Sequence, residues 1–314
     1  MTPACERLAR AALALATFAA AACLRTAGAQ ELAFASAADA SAVLGARDAF
    51  VERMSPFDRS ARLKTDREVT EREYLAFAKA AALDWNDAEK RAVNDAFRAI
   101  ERELHALELP LPQRVLMVKT TGNEEGNTAY TRAEAIVLPQ RMVDEPKDLS
   151  RTLAHELFHI ASRTQPGFAD ALYATIGFRP CKEPAYPAEL APRKITNPDA
   201  PRNDYCIAVS VDGAKVQVTP ILYSRAPVYD PARGGEFFDY LELGFLVVPP
   251  SAAAGVVDFR QLSGLAEQIG QNTQYVIHPE EILADNFSLL ATGRTQVRSP
   301  EVLDRIKRAL AGLR

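Results

Sequence analysis

The spacing of apolar residues shifts between helical and strand-like periods along this chain, and the shifts mark its elements. A helix is predicted around residues 39–54. From 70 to 82, and again from 86 or 87 to about 107, apolar positions recur at three- and four-residue intervals, the repeat of an amphipathic helix. Thr70 with Glu73 three residues on forms a capping-box pattern, and Pro110 and Pro112 stop the second stretch. Residues 114–120 alternate with β-branched side chains and predict a strand; a polar, glycine-containing loop over 121–127 leads into a longer strand over 128–138, ended by Pro139. The helical period returns over 150–163, where Leu153, Leu157 and Ile160 share a stripe, and a further helix runs to about residue 176.

Residues 180–203 hold six prolines and little periodicity, which predicts an ordered irregular excursion. Beyond it, 206–211 and 215–219 flank Asp212-Gly213-Ala214, a hairpin signal, and 221–224 and 237–248 read as extended segments. Helices close the chain at about 279–290 and 300–310. No internal repeat interrupts this order. The succession of helices, a few strands, a helix, a strand-rich insertion over about 180–250 and more helices predicts an α+β fold with one core spanning 30–314.

The first thirty residues carry a different pattern. Arg7 and Arg10 precede an alanine-dominated apolar run, residues 11–24, and Ala27-Gly28-Ala29 follows. That is the form of a secretory signal peptide over 1–29, with a mature chain starting at Gln30. The run is shorter than the roughly 20 residues a membrane helix needs, so no membrane span is expected. A second reading takes Ala20-Ala21-Ala22-Cys23 as a lipoprotein site with Cys23 as a lipid anchor. Export places the chain in a secreted or periplasmic setting, where the remaining pair Cys181 and Cys206 reads as a disulfide around the proline-rich stretch.

Composition narrows the partners. The 314 residues are 48% apolar and 25% charged, which excludes a disordered or collagen-like chain. A net charge of −4 without a basic block excludes a general attraction to nucleic acid. There are only four histidines, and two of them stand in His155-Glu156-Leu157-Phe158-His159, on the stretch predicted helical.

Four-residue spacing puts both imidazoles on one helical face, where they can reach a single tetrahedral cation, and Glu156 beside them can take a proton from water. The bland reading is a helix whose two histidines only satisfy a core. A catalytic zinc site needs a third protein ligand and one open position. The extended HExxHxxGxxH pattern fails, because Ser162 and Gln165 stand where glycine and the third histidine belong. A later helix supplies the alternative: Pro279 is placed to start it, and Glu281 and Asp285 share a face at i, i+4. Glu281 can bind a metal while Asp285 accepts a hydrogen bond from a ligating histidine and fixes its ring. Glu280, His278 and Asp170 are fallback ligands.

This pairing of HExxH with a distant E-x-x-x-D resembles the gluzincin branch of the zinc metallopeptidases. The resemblance covers about ten residues, and the interval from His159 to Glu281 is much longer than in compact members. It implies a zincin-like fold, helix-rich with a small sheet, in which the strand-rich insertion loops out between the two metal-binding helices. By the same resemblance His155, His159 and Glu281 would hold Zn²⁺, Glu156 would be the general base and Asp285 the orienting carboxylate. A donor to the developing oxyanion is also expected. Tyr223 is the first choice for it, with Tyr240, Tyr130 and His278 as alternatives. Strand 128–138 is the candidate edge for an extended peptide. The resulting expectation is an exported zinc hydrolase acting on peptide or protein. The competing expectation is a non-catalytic envelope binding protein or lipoprotein, with zinc in a closed structural site completed by a side chain such as His278.

Overall fold

The computed structural model describes residues 31–251 and 254–313; the leader segment and Cys23 lie outside them. The chain opens with a short strand, β1 (Glu31–Phe34), and three short helices, α1 (Ala37–Leu44), α2 (Ala49–Arg53) and α3 (Pro56–Arg62). The single helix predicted over 39–54 is therefore two, broken after Leu44. The break is locally encoded, since Asp48 caps α2 by accepting a hydrogen bond from the Val51 amide. Next come α4 (Glu71–Ala80), β2 (Ala82–Leu83) and α5 (Asp87–Ala106). Both α4 and α5 start with complete capping boxes, Thr70 with Glu73 and Asn86 with Glu89.

Strand β3 (Arg114–Thr120) follows, then β4 (Tyr130–Arg132), β5 (Ala135–Pro139) and a short helix, α6 (Gln140–Asp144). The one strand predicted over 128–138 is a hairpin, turning at Ala133 with a φ of 51°. Alanine rarely takes that conformation, so the turn carries no sequence signal, and polar–apolar alternation runs straight through it. The first sheet has the order β1-β3-β5-β4, with β2 added against β3. Strands β1, β3 and β5 are parallel, whereas β4 is an antiparallel edge.

Helix α7 (Leu149–Thr164) packs beside this sheet and is followed by α8 (Phe168–Ala174) and β6 (Phe178–Pro180). An irregular excursion then leads to β7 (Tyr205–Val211) and the long hairpin β8 (Ala214–Ser224) with β9 (Leu241–Ser251). Residues 221–224 are the end of β8, not a separate strand. After β10 (Ala254–Val257), β11 (Leu262–Ser263) and α9 (Ala266–Ile269), the chain ends in α10 (Pro279–Ala291) and α11 (Pro300–Gly312). The second sheet is antiparallel, in the order β10-β9-β8-β7-β11 with β6 against β7. The fold is thus α+β, and the strand-rich insertion extends from β6 to β11, wider than the sequence suggests.

One buried cluster joins Val93, Phe97 and Ile100 of α5 and Met117 and Ile136 of the first sheet to the inner faces of α7 and α10. At its centre Phe158 meets the rings of Phe168 and Phe287, each at 5.6 Å. These contacts bring α7 against α10 across more than a hundred residues of chain. The disulfide Cys181–Cys206 closes the base of the excursion. Among the described residues no helix is long and apolar enough to cross a membrane.

Candidate metal centre

The lower face of α7 is apolar and the face one side of it carries His155 and His159. Asp148 caps the helix by accepting from the Arg151 amide, which fixes its start and hence which residues point at α10. The two imidazoles lie 4.7 Å apart, ring edge to ring face. Opposite them, α10 begins as expected of Pro279 at its first turn, with His278 as the cap. That start directs Glu281 at both histidines: its Oε2 is 3.1 Å from His155 Nε2 and 3.7 Å from His159 Nε2.

Each ring is held from behind by a carboxylate. His155 Nδ1 lies 3.3 Å from Asp285 Oδ1, and His159 Nδ1 is 2.8 Å from Glu280 Oε1. Glu280 in turn accepts from the hydroxyls of Ser162 and Tyr173, so it is anchored on three donors. Asp285 accepts from Thr273 and Arg151. With both Nδ1 atoms bound to carboxylates, both Nε2 atoms are left to face Glu281. Two buried atoms there have no hydrogen-bond partner, His159 Nε2 and Glu156 Oε2.

A buried polar atom without a partner is costly, and two of them converging on one spot call for something between them. The donors fit a divalent cation: ligand atoms of His155, His159 and Glu281 all lie within 4.8 Å of one another, and so do those of Glu156, His159 and Asp199. Nitrogen and carboxylate oxygen together suit zinc. The charges agree, because Glu156, Asp199, Glu280, Glu281 and Asp285 outnumber Arg151 and Arg163, the arginines bonded within the group.

The buried acids and imidazoles also shift one another's proton affinities. Burial alone would raise Glu281, yet the imidazoles of His159 and His155 and the Asn197 amide hold it down to about 2. Burial, then the nearby charge of Asp199, pushes Glu156 up to about 8. Against burial, Asp199, Glu281 and Glu280 push His159 up to about 9. These shifts are those of buried acids and imidazoles placed close enough to act on one another's charge.

The centre forms the floor of a cleft of about 540 Å³. Thr128 to Tyr130 and residues 195–199 line one part of it, and Phe237, Leu241 and Tyr275 another. Tyr223 does not line it. Side chains alternate along β8, so Leu222 faces the cleft while Tyr223 turns to the other side of the sheet, against the cluster of Leu190, Ile221 and Leu246. The alternatives are engaged elsewhere. Tyr240 donates to backbone carbonyls at Asp230 and Gly234, and Tyr130 lines the cleft but donates to Glu124. His278 spends Nδ1 on the Glu280 amide and Nε2 on the Arg202 carbonyl, so it is no ligand. Asp170 accepts from Tyr205 outside the cleft.

Sequence reasoning missed Tyr275. Its ring is partly exposed, and desolvation followed by the charges of Glu281, Asp199 and Glu156 raises its pKa well above the usual phenol value, so it stays a hydrogen-bond donor. The available signal was position: Tyr275 lies in the polar turn just before the helix that carries Glu281. Glu280, a fallback ligand in the sequence, lies instead behind His159 on Nδ1, and Asp199 was missed as a neighbour of the histidines. No protein-family model, no curated protein and no solved structure matches this chain.

Proposed function

We propose that the chain is an exported, zinc-dependent peptidase of the zincin-like kind. The observation that carries this reading is the pair of buried, unpartnered atoms, His159 Nε2 and Glu156 Oε2, beside His155 and Glu281 at the floor of an open cleft. His155, His159 and Glu281 would hold the ion, with Asp285 and Glu280 fixing the two rings. A zinc ion in such a setting polarises a carbonyl and makes water acidic near neutral pH. Glu156 accepts the proton of the attacking water at Oε2 and returns it to the departing amine. Tyr275 donates its hydroxyl to the oxygen that gains charge as the peptide carbonyl is attacked.

The β4 edge beside α7 supports a polypeptide substrate, since an extended chain can add to an edge strand where it replaces the bond from the Thr131 amide to Asp199. The mixed sheet, the histidine-bearing α7 and the glutamate-bearing α10 together support the zincin-like assignment. Export is supported by the leader pattern and by the Cys181–Cys206 disulfide, which favours a secreted or periplasmic setting. The test is metal content and peptide cleavage of wild type, Glu156→Gln and His155→Ala. One zinc per chain is expected in the first two, loss of metal in the third, and cleavage only in wild type. A Glu156→Gln protein that cleaves as fast as wild type overturns the mechanism, and a metal-free wild type overturns the reading.

A further inference from the structure

The irregular excursion contributes more than a wall to the cleft. Its segment 195–199 is tied down along its length. The Ile195 amide donates to the Leu222 carbonyl at 2.9 Å, and the Thr196 amide donates to buried Asp58, also at 2.9 Å. The Asn197 side-chain amide then donates to Oε1 of Glu281 at 2.6 Å, the oxygen not facing the histidines. Asp199 follows, with its Oδ1 accepting from both the amide and the hydroxyl of Thr131, the amide at 2.7 Å. Arg163 donates to the Asp199 carbonyl at 3.3 Å.

Two consequences meet at Asp199. Thr131 lies on β4, which among the described residues pairs only with β5, so its amide is the outward donor that an added extended chain would need. Asp199 occupies that donor. Asp199 also belongs with Glu156 and His159 to a set whose ligand atoms lie within 4.8 Å of one another, and this set shares His159 with the trio of His155, His159 and Glu281. Carboxyl oxygens and an imidazole nitrogen at that spacing form a donor set that one divalent cation can share. Glu156 is fixed within α7, whereas Asp199 sits on the irregular segment and is held there through Thr131 and Arg163.

We propose that Asp199 is a fourth, displaceable protein ligand of the ion held by His155, His159 and Glu281, so that segment 195–199 latches the site until an extended chain takes over the Thr131 amide. The proposal rests on the metal-dependent reading above. It accounts for Asn197 bridging the same segment to Glu281, because one movement releases both contacts.

The experiment is a titration of metal-depleted protein with Co²⁺, whose visible absorption reports the number and kind of its ligands. Wild type, Asp199→Ala, Asp199→Asn and His155→Ala are compared, with a chelator competing for the ion. Asp199→Asn keeps an oxygen to accept from Thr131 and guards against a folding failure of the alanine variant. Expected are one Co²⁺ per wild-type chain, an affinity lowered at least about tenfold in both Asp199 variants with a changed spectrum, and faster cleavage of an unstructured peptide. Unchanged affinity and spectrum in the Asp199 variants, in a protein that does bind Co²⁺, overturn the fourth ligand alone. Slower cleavage at unchanged affinity does the same, by making Asp199 a group that serves the reaction. A wild type that takes up no Co²⁺, or a His155→Ala protein that binds it equally well, overturns the metal reading itself.

Discussion

Substitution of Glu280 by glutamine tests whether the hydrogen bonds behind the histidines govern the metal site. Glu280 is 1% exposed and its carboxylate accepts from His159 Nδ1, Ser162 and Tyr173. Glutamine keeps the shape but replaces one acceptor oxygen by an NH₂ donor. The two hydroxyls can rotate and accept from it. His159 cannot do so without moving its proton from Nδ1 to Nε2, which removes the lone pair that faces Glu281. If the amide turns its oxygen to His159 instead, a neutral acceptor replaces a charged one. Loss of such an orienting partner typically costs 10- to 100-fold in metal affinity, about 1.4 to 2.7 kcal/mol. The disturbed buried bonds should cost the metal-free protein a further 1–3 kcal/mol or so. Chelator competition measures the first quantity and urea unfolding of the metal-free protein the second. A folded Glu280→Gln variant with zinc affinity within twofold of wild type refutes the reasoning.

Glu156→Gln should lower peptide cleavage by about 10²- to 10⁴-fold while retaining zinc, which steady-state kinetics and metal analysis together establish. Phe158→Ala removes a ring that is fully buried between Phe168 and Phe287, and should destabilise the fold by about 3–5 kcal/mol in urea titration. Replacing both Cys181 and Cys206 by serine frees a cross-link spanning 25 positions and should cost about 3 kcal/mol, read as a lower unfolding midpoint under non-reducing conditions. In the metal-free protein, Glu156 and His159 bind protons more tightly folded than unfolded, at about 8 against 4.5 and about 9 against 6.5. Their contribution to stability is therefore complete below pH 4.5 and 6.5 respectively, and is lost as pH rises through 8 and 9. The urea midpoint of the stripped protein should fall between about pH 7 and 9.5, and a rise over that range would contradict the assigned shifts.

Local signals carried much of this molecule. The capping boxes at Thr70 and Asn86, Pro279 at the start of α10 and the stripe on α7 are short-range patterns, and the helices they mark are present. The α7 and α10 residues singled out from spacing, His155, His159, Glu281 and Asp285, do come together, because helical periodicity fixes which side chains share a face. What failed depended on tertiary placement. Tyr223 was chosen without knowing which face of β8 meets the cleft. Asp199 belongs to a stretch without periodicity, and its role follows from how the excursion folds back on β4. Glu280 entered only as a fallback ligand, and its place behind His159 depends on how α10 docks against α7. The hairpin at Ala133 was hidden because its turn uses residues no turn rule selects.

The 126 positions between His155 and Glu281 have a consequence for how the molecule matures. Bringing the ends of such a span together carries a chain-closure penalty of about 4 kcal/mol, before any contact rewards it. Until the second sheet has formed and α10 has docked, α7 offers an ion only two imidazoles and a weak grip. On the metal-binding reading proposed above, tight uptake of zinc should accordingly be among the last events of folding, and a chain cut short before α10 should bind it only weakly.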